Sequence, residues 1–250
     1  MNMSHLRRNC IAAAIALFLL SVAGFGVASA QAPDGHSARD SADWTGYYHG
    51  TVPAASSPGI EVWLNLDEFD GKVRYDLVET YLEEKDGTVR STGTAKWRDG
   101  SALQLVGKDE NRVLFVAEGW VQFLGADETT GDEKSDYVLR RMDAFAGDGQ
   151  QLLVDPTQVR VCVQNGRRII AFPGLINFEH RTEGGHTSLA GDFVIDVEKK
   201  EYEMPSVRYY HDRFATGKLM HSAEENEGDW LPFSGDEDVL AQALEAYRGE

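Results

Sequence analysis

Apolar and polar residues alternate with period two along most of this chain, a pattern typical of β-strands with one buried face. In Ile60–Leu66 the even-numbered residues are aliphatic, whereas Glu61, Trp63 and Asn65 fall on the opposite face of an extended chain. Similar runs lie near residues 73–82, 91–97, 102–106, 112–117, 120–124, 137–142, 175–180, 192–197, 201–210 and 216–221. Many short strands at this spacing predict an antiparallel sheet or barrel.

Turn residues separate several of these strands. The run Val159–Gln164 alternates, and Asn165-Gly166 then leads directly into Arg167–Phe172. Asn-Gly between two such runs predicts a tight hairpin, because both residues tolerate positive φ. Asp-Gly pairs at residues 70–71, 86–87 and 99–100 indicate further turns.

One helix is predicted, at the C-terminal end. Ser234 with Glu237 three residues later forms a capping-box pattern. The apolar stripe that follows at helical spacing consists of Leu240, Ala243, Leu244 and Tyr247. This stripe predicts packing against the sheet rather than a binding surface.

The N-terminus has the features of an export signal. Arg7 and Arg8 precede the apolar run Ile11–Leu20, and small residues end in Ala28-Ser29-Ala30. This pattern predicts a signal peptide over residues 1–30, with cleavage after Ala30 and a mature chain that begins at Gln31. The alternative is a membrane anchor, but serine and glycine interrupt the apolar segment before it reaches about 20 residues. We therefore predict a periplasmic or secreted protein with no membrane span in the mature chain.

Charge and cysteine content narrow the partners and the covalent structure. Residues 1–30 contain two arginines and no acids, so the mature chain keeps 22 of the 24 Lys and Arg against 41 Asp and Glu, a net charge of −19. Such a charge argues against nucleic acid and anionic lipid as partners. Cys162 is then the sole remaining cysteine, which excludes an internal disulfide and leaves open a dimer through Cys162.

The strand pattern divides into two modules. Gly147-Asp148-Gly149 interrupts it, which predicts a boundary within residues 144–150. We predict a flexible linker over residues 31–43, a β-barrel module over 44–143 and a sheet-plus-helix module over 151–250. The acidic stretch Asp127–Asp136 is interpreted as a solvated hairpin loop of the first module.

Motifs of catalysis are absent from the sequence. It contains no Gly-x-Ser-x-Gly elbow, no phosphate-binding glycine loop and no His-Glu-x-x-His, and nothing pairs Cys162 with a base. These observations predict a non-enzymatic protein without a cofactor. A metal site remains an alternative, formed across strands by His180 with His186, or by His211 and His221 with Met220.

The segment Tyr47–Met142 resembles the N-terminal domain of NlpE-type copper-resistance and envelope-stress lipoproteins. The likeness is carried by Gly50-Thr51-Val52-Pro53-Ala54-Ala55-Ser56-Ser57-Pro58-Gly59-Ile60, and by Asp70-Gly71, Tyr81-Leu82 and Gly93-Thr94-x-x-Trp97 in the family's order. The resemblance implies a small antiparallel barrel related in shape to lipocalins. It identifies Gly50, Pro53, Pro58 and Gly59 as the residues that shape the family loop.

The chain departs from this family at its cysteines. The two cysteines of the family loop correspond to Ala54 and Ser57 here, and no cysteine follows the signal for lipid attachment. Thiolates are the soft ligands that select Cu(I), so neither copper binding nor lipid anchoring carries over.

Residues 151–249 resemble the surface-adhesin protein E-like family. The residues that carry this likeness are Val154-Asp155-Pro156-Thr157, Phe193–Val197 with Tyr202, Tyr209-Tyr210 and Gly228-x-Trp230. The resemblance implies a curved antiparallel sheet with a C-terminal helix packed on it. A disulfide commonly joins helix and sheet in the family, and its two positions correspond to Val197 and Tyr247. We expect these two side chains to be neighbours that dock the helix by apolar contact.

These features favour an exported, non-enzymatic binding or envelope-homeostasis protein with an unknown protein partner. A carrier of a small apolar ligand inside the barrel is the first alternative, because aromatic residues are frequent on the strands of the first module. A filled interior would favour the protein-binding interpretation, and an enclosed void would favour the carrier. The second alternative is a metal-handling protein that uses His and Met ligands.

Overall fold

The computed structural model describes residues 38–249 apart from 42, 109, 128, 129, 225–228 and 236. The strands in this part of the chain are β1 (Gly46–Val52), β2 (Ile60–Phe69), β3 (Lys72–Tyr81), β4 (Thr88–Trp97), β5 (Ala102–Val106), β6 (Val113–Ala117), β7 (Trp120–Phe123), β8 (Val138–Gly147), β9 (Gln150–Val154), β10 (Arg160–Gln164), β11 (Arg167–Phe178), β12 (Ser188–Asp196), β13 (Glu201–Asp212), β14 (Thr216–Glu224) and β15 (Leu231–Pro232). The helices are α1 (Ala38–Ser41) and α2 (Val239–Tyr247), with a 3-10 turn at Pro156–Gln158. The predicted fold class, a mainly β chain with an antiparallel barrel, a second antiparallel sheet and a C-terminal helix, is confirmed.

The predicted signal peptide, with Ala28, Ala30 and Gln31, lies outside the described residues. Most of the predicted linker also lies outside them, and its described end contains the single helical turn α1. None of the helices in the described part of the chain is both long and apolar enough to cross a membrane.

Strands β1 to β8 form a closed barrel. They pair in chain order, each antiparallel to the next, and β1 also pairs with β8. The predicted alternation in β2 is confirmed for the barrel wall, since Val62, Leu64 and Leu66 are completely buried in its core. Closure gives β1 and β8 a second neighbour over Tyr47–His49 and Arg140–Met142, so the sheet has no free edge there.

Side chains fill the barrel interior. The residues of its core with the least exposure are Tyr48, Val62, Leu64, Leu66, Leu77, Leu103, Leu105, Leu114, Val121 and Leu139. Because their accessible area is zero, no water-sized space lies against them. The interior therefore provides packing for the barrel, as is usual for small barrels.

β8 extends from the barrel into the second sheet. Its first half pairs with β7 and β1, and its second half, Asp143–Gly147, pairs with β9. From β9 the sheet continues in the order β11, β12, β13 and β14, with β10 paired to β11 and β15 to β13. The segment predicted as a domain boundary is thus a hairpin, in which Asp148 and Gly149 have φ of 49° and 69°.

The Asn-Gly hairpin is confirmed. Gln164 pairs with Arg167, and Asn165 and Gly166 have φ of 50° and 77°. In contrast, the two runs predicted on either side of Pro173 form one strand, β11. The sequence pattern also missed β1 and β9.

The predicted start of the C-terminal helix is wrong. α2 begins at Val239, and its N-cap is Asp238, whose Oδ1 accepts a hydrogen bond from the Leu240 N–H at 2.8 Å. Ser234 instead donates to Asp238 Oδ2 from its backbone N–H and its hydroxyl. The stripe itself is confirmed as packing, since Leu240, Ala243, Leu244 and Tyr247 are buried against the second sheet.

A third cluster of buried residues lies between barrel and sheet. It combines Trp63, Val78 and Met142 of the barrel with Leu153, Leu175 and Phe214 of the second module. Trp63 faces away from the barrel interior, as its odd position predicts, yet only 6% of it is exposed. The second module therefore covers this part of the outer barrel wall.

Candidate functional site

The family loop, residues 53–59, connects β1 to β2 at one end of the barrel. The Ser57 hydroxyl donates to the Gly59 carbonyl at 2.8 Å, and the Leu82 N–H donates to the same oxygen at 3.0 Å. The Ser56 hydroxyl donates to Glu84 Oε1 at 3.4 Å. The loop is thus joined to the turn between β3 and β4, and the Ser57 hydroxyl is used within the loop.

Two of the predicted loop glycines are required by close approach. A Cβ on Gly50 would lie 2.7 Å from the Val138 carbonyl oxygen, and one on Gly59 would lie 2.9 Å from Thr51 Cγ2. Any other residue at position 50 would force its backbone away from that of Val138, and any other residue at position 59 would displace the Thr51 side chain. The presence of glycine at positions 50 and 59 therefore has a steric reason that does not depend on the missing cysteines.

An open groove of about 720 Å³ lies beside this loop. One wall consists of Thr51, Val52, Pro53 and Pro58, and the other of Glu133, Lys134, Ser135, Asp136, Val138 and Arg140. Two of the four loop residues predicted as site residues, Pro53 and Pro58, line it. We call this feature the loop groove.

The loop groove lies where the closure of the barrel ends. β1 pairs with β2 through to Val52, but its registered pairing with β8 covers only Tyr47–His49 against Arg140–Met142. Beyond Gly50 the chain before β8 turns away from β1, and the space between them becomes the groove. The arrangement gives a cleft whose walls are strand ends, which is suited to polypeptide contacts.

Charges of both signs line the groove. Arg140 and Glu133 form an ion pair with each other, with Arg140 donating to Glu133 at 3.0 Å. Lys134 and Asp136 add one further charge of each sign on the same wall. The groove therefore contains balanced charge in a chain whose net charge is −17.

Arg112 binds two carboxylates on the barrel. Its guanidinium donates to both oxygens of Glu79, at 2.8 and 2.9 Å, and makes further hydrogen bonds to Glu110. It also lies 4.8 Å from the centroid of the Phe123 ring. Glu79 follows Tyr75 and Leu77 on the inward-facing positions of β3, so the ion cluster continues the interior toward the barrel end.

The ion cluster shifts the pKa values of Glu110 and Arg112. Burial by itself raises the pKa of Glu110, but the hydrogen bonds from Arg112 outweigh it, and the pKa lies below its ordinary value. Burial likewise opposes the charged form of Arg112, while Glu110 and Glu79 raise its pKa above the usual range. Glu110 and Arg112 are thus held charged at neutral pH. This cluster was not predicted from the sequence, although an acidic residue at an inward-facing position of β3 is a signal of it.

The barrel core contains the buried phenol group of Tyr48. Tyr48, completely buried there, donates its hydroxyl to the Trp44 carbonyl at 2.7 Å. Burial raises the pKa of Tyr48 to about 12. Its hydroxyl therefore closes the end of a filled core, and the zero exposure of its neighbours favours the protein-binding interpretation over the carrier.

The predicted metal pairs take other partners. His186 forms a hydrogen bond with the Thr182 hydroxyl and packs against the rings of Phe178 and Tyr209. Burial lowers the pKa of His186. His221 also stacks on Tyr209. Within the described residues, no group of three or more His, Cys, Asp or Glu is placed to hold a metal ion. The metal-handling alternative gains no support from this arrangement.

The remaining predicted residues lie in the second module. Cys162 is half-buried on β10 and forms no disulfide within the chain. Val197 and Tyr247 belong to the same apolar cluster, with Tyr247 buried in it and Val197 packed at its margin. Tyr247 also donates to Asp143 Oδ2 at 2.7 Å and contacts the rings of Phe145 and Phe172. Direct contact between Val197 and Tyr247 stays a prediction.

Comparison with known proteins supports the resemblance of the first module. The family model of the NlpE N-terminal domain matches residues 48–133. The match covers most of the barrel, including the family loop and the wall of the loop groove that this loop forms. It ends before the second module, so the resemblance of residues 151–249 to the surface-adhesin protein E-like family stays a prediction.

Two solved structures are similar to parts of the chain. A candidate lipoprotein from Shewanella oneidensis is 25% identical over 42% of this chain and 94% of that chain, with a TM-score of 0.36. The Cpx pathway activator NlpE from Escherichia coli is 16% identical over 60% of this chain and 86% of that chain, with a TM-score of 0.30. No curated protein matched the chain.

Proposed function

We propose that this chain is an exported, non-enzymatic binding protein of the cell envelope that recognises a protein partner through the loop groove. The observation that carries this proposal is the combination of the NlpE N-terminal family match with a groove at the family loop and a filled barrel interior. The family match supports the envelope role. The filled interior favours contact at the surface over transport of a ligand inside the barrel.

The groove residues support polypeptide recognition in particular. Extended backbone at Thr51 and Val52 forms one wall, and charges of both signs form the other. A partner segment that enters the groove can pair its own charges with Lys134 and Asp136 while it contacts Pro53 and Pro58. Such mixed walls give specificity more than affinity, because rim charges contribute little binding energy by themselves.

Site-specific photo-crosslinking in cells tests the proposal. A photoreactive amino acid at Thr51 or Lys134 should give covalent adducts to one protein, whereas exposed positions Thr94 and Lys96 on the opposite barrel wall should not. The protein identified in the adduct should bind the purified chain, with Lys134→Glu weakening the affinity by about tenfold and Lys96→Glu leaving it unchanged. Equal adducts at all four positions, or a small molecule retained in native mass spectrometry, would contradict the proposal.

Export is tested separately. The chain should be recovered from the periplasm or medium with Gln31 as its first residue. Recovery of an exported protein that still begins at Met1 would exclude the predicted cleavage, whatever the crosslinking shows.

The family loop also predicts how the chain handles copper. Wild type should bind Cu(I) weakly or not at all at this loop, because Ala54 offers no metal ligand. The Ser57 hydroxyl is a hard ligand and already donates a hydrogen bond to the Gly59 carbonyl. The double variant Ala54→Cys, Ser57→Cys should create a Cu(I) site, measurable by competition with a chromogenic chelator. Tight binding by wild type that survives loop substitution would show that copper binds elsewhere.

A further inference from the structure

The turn between β13 and β14 contains two adjacent residues in the left-handed region. Phe214 has φ of 60° and Ala215 of 53°. Neither is a residue that adopts this conformation readily, because a Cβ makes it unfavourable. The hairpin at Asn165-Gly166 has a similar backbone but is formed by residues that tolerate it. Local preference therefore does not explain the 213–215 turn.

The tertiary contacts of the Phe214 side chain explain the conformation of this turn. Phe214 is 95% buried against the outer barrel wall, with its ring centroid 5.7 Å from that of Trp63 and 6.2 Å from that of Tyr47. Val78 and Met142 of the barrel complete this seat. Burial of an aromatic ring is large enough to offset two strained residues.

Buried polar groups of the second sheet hold the backbone of the turn. Asn177 Oδ1 accepts the Phe214 N–H at 2.8 Å, and the Ser188 hydroxyl accepts the Ala215 N–H at 3.1 Å. The same hydroxyl donates to the Asp212 carbonyl at 2.6 Å. Asn177 and Ser188 are almost completely buried. The turn is thus fixed to the second sheet on one side and seated on the barrel on the other.

β8 is the second connection between the modules. Met142 pairs with Tyr47 in the barrel, and the next residue, Asp143, pairs with Val154 in the second sheet. A change of partner between adjacent residues provides a place where the two modules can rotate without loss of either sheet. Phe214, together with Leu153 and Leu175, packs the second module against the barrel beside this point.

We propose that the 213–215 turn couples the docking of the two modules to its own backbone conformation. In the docked arrangement the turn is left-handed and Phe214 covers Trp63. In the undocked arrangement the turn relaxes, the modules separate about β8, and the apolar surface of Trp63, Val78 and Met142 becomes accessible. Each module keeps its own fold in both arrangements, because their cores are separate clusters.

Hydroxyl-radical footprinting of the full mature chain tests this coupling at two tryptophans. Trp63 lies at the docking contact, and Trp44 lies in the barrel core, with both 6% exposed. Phe214→Ala should raise the modification of Trp63 several-fold and leave Trp44 unchanged. The matched control Phe69→Ala removes an exposed ring at a barrel hairpin and should change neither.

A second variant keeps the ring and changes the backbone preference at Ala215, which packs at the margin of the same cluster. Ala215→Val disfavours the left-handed conformation through its β-branch, so it should expose Trp63 as Phe214→Ala does. Ala144→Val, at an exposed strand position, should have no effect. The proposal is overturned if Trp63 stays protected in Ala215→Val, if Trp44 becomes modified together with Trp63, or if Ala144→Val exposes Trp63 equally. The measurement on Ala215→Val still tests the proposal if Phe214→Ala does not fold.

Discussion

The barrel and the second sheet bury their apolar faces in different ways. The barrel closes on itself, so its core depends on residues of the eight strands and on the ion cluster around Arg112. The second sheet remains open, with β10 and β14 as edges, and buries its face under the nine-residue helix α2. The comparison indicates that the barrel core is distributed over many contacts, whereas the sheet core depends on a few side chains of one helix.

The largest effect is expected where the sheet depends on one side chain. Tyr247→Ala removes the contacts with Phe145 and Phe172 and leaves a cavity under α2, which should cost about 3–5 kcal/mol of unfolding free energy. Tyr247→Phe keeps the ring and loses only the bond to Asp143, which should cost about 1 kcal/mol. Urea denaturation followed by circular dichroism measures both. Equal losses in the two variants would place the energy in the hydrogen bond.

In the barrel, the single side chain that joins several partners in this way is Arg112. Arg112→Met leaves Glu79 and Glu110 close together without their cation, and removal of one member of such a partly buried cluster should cost about 2 kcal/mol. The matched control is Arg74→Met, whose partner Asp67 is largely exposed and whose loss should destabilise the barrel clearly less. Similar losses in both variants would show that the ion cluster is no more important than a surface pair.

The same cluster predicts how barrel stability depends on pH. The pKa of Glu110 is lower in the folded chain than in the unfolded chain, so the unfolded chain binds more protons as the pH falls. The contribution of this group is therefore complete above the unfolded pKa and disappears as the pH falls through the folded pKa. Glu110→Gln should make thermal stability less sensitive to acid over that window. An unchanged acid sensitivity would assign it to other carboxylates.

The sequence predicted the parts of this fold that are governed by local rules. Alternation in Ile60–Leu66 identified a barrel strand, and Asn165-Gly166 identified a hairpin, because the residue types themselves favour those conformations. Phe214 and Ala215 gave no such signal, since their turn is maintained by contacts with the barrel and with Asn177. The same holds for the loop groove, in which Pro53 and Pro58 were predicted but the wall formed by Glu133–Arg140 depends on barrel closure.

The smallest predicted effect concerns the start of α2, where the capping-box pattern and the structure disagree. Asp238→Ala removes the acceptor of the Leu240 N–H together with a negative charge at the helix N-terminus, which should cost about 1 kcal/mol. Ser234→Ala removes only an exposed hydrogen bond to the same carboxylate and should cost clearly less. Both variants change one side chain at the same end of α2, so their difference isolates the cap from the packing of Tyr247. Urea denaturation resolves this difference if it is measured in parallel on the two proteins. A larger loss for Ser234→Ala would restore Ser234 as the N-cap and extend the helix by a turn, and α2 would then depend less on the few apolar contacts that distinguish the sheet from the barrel.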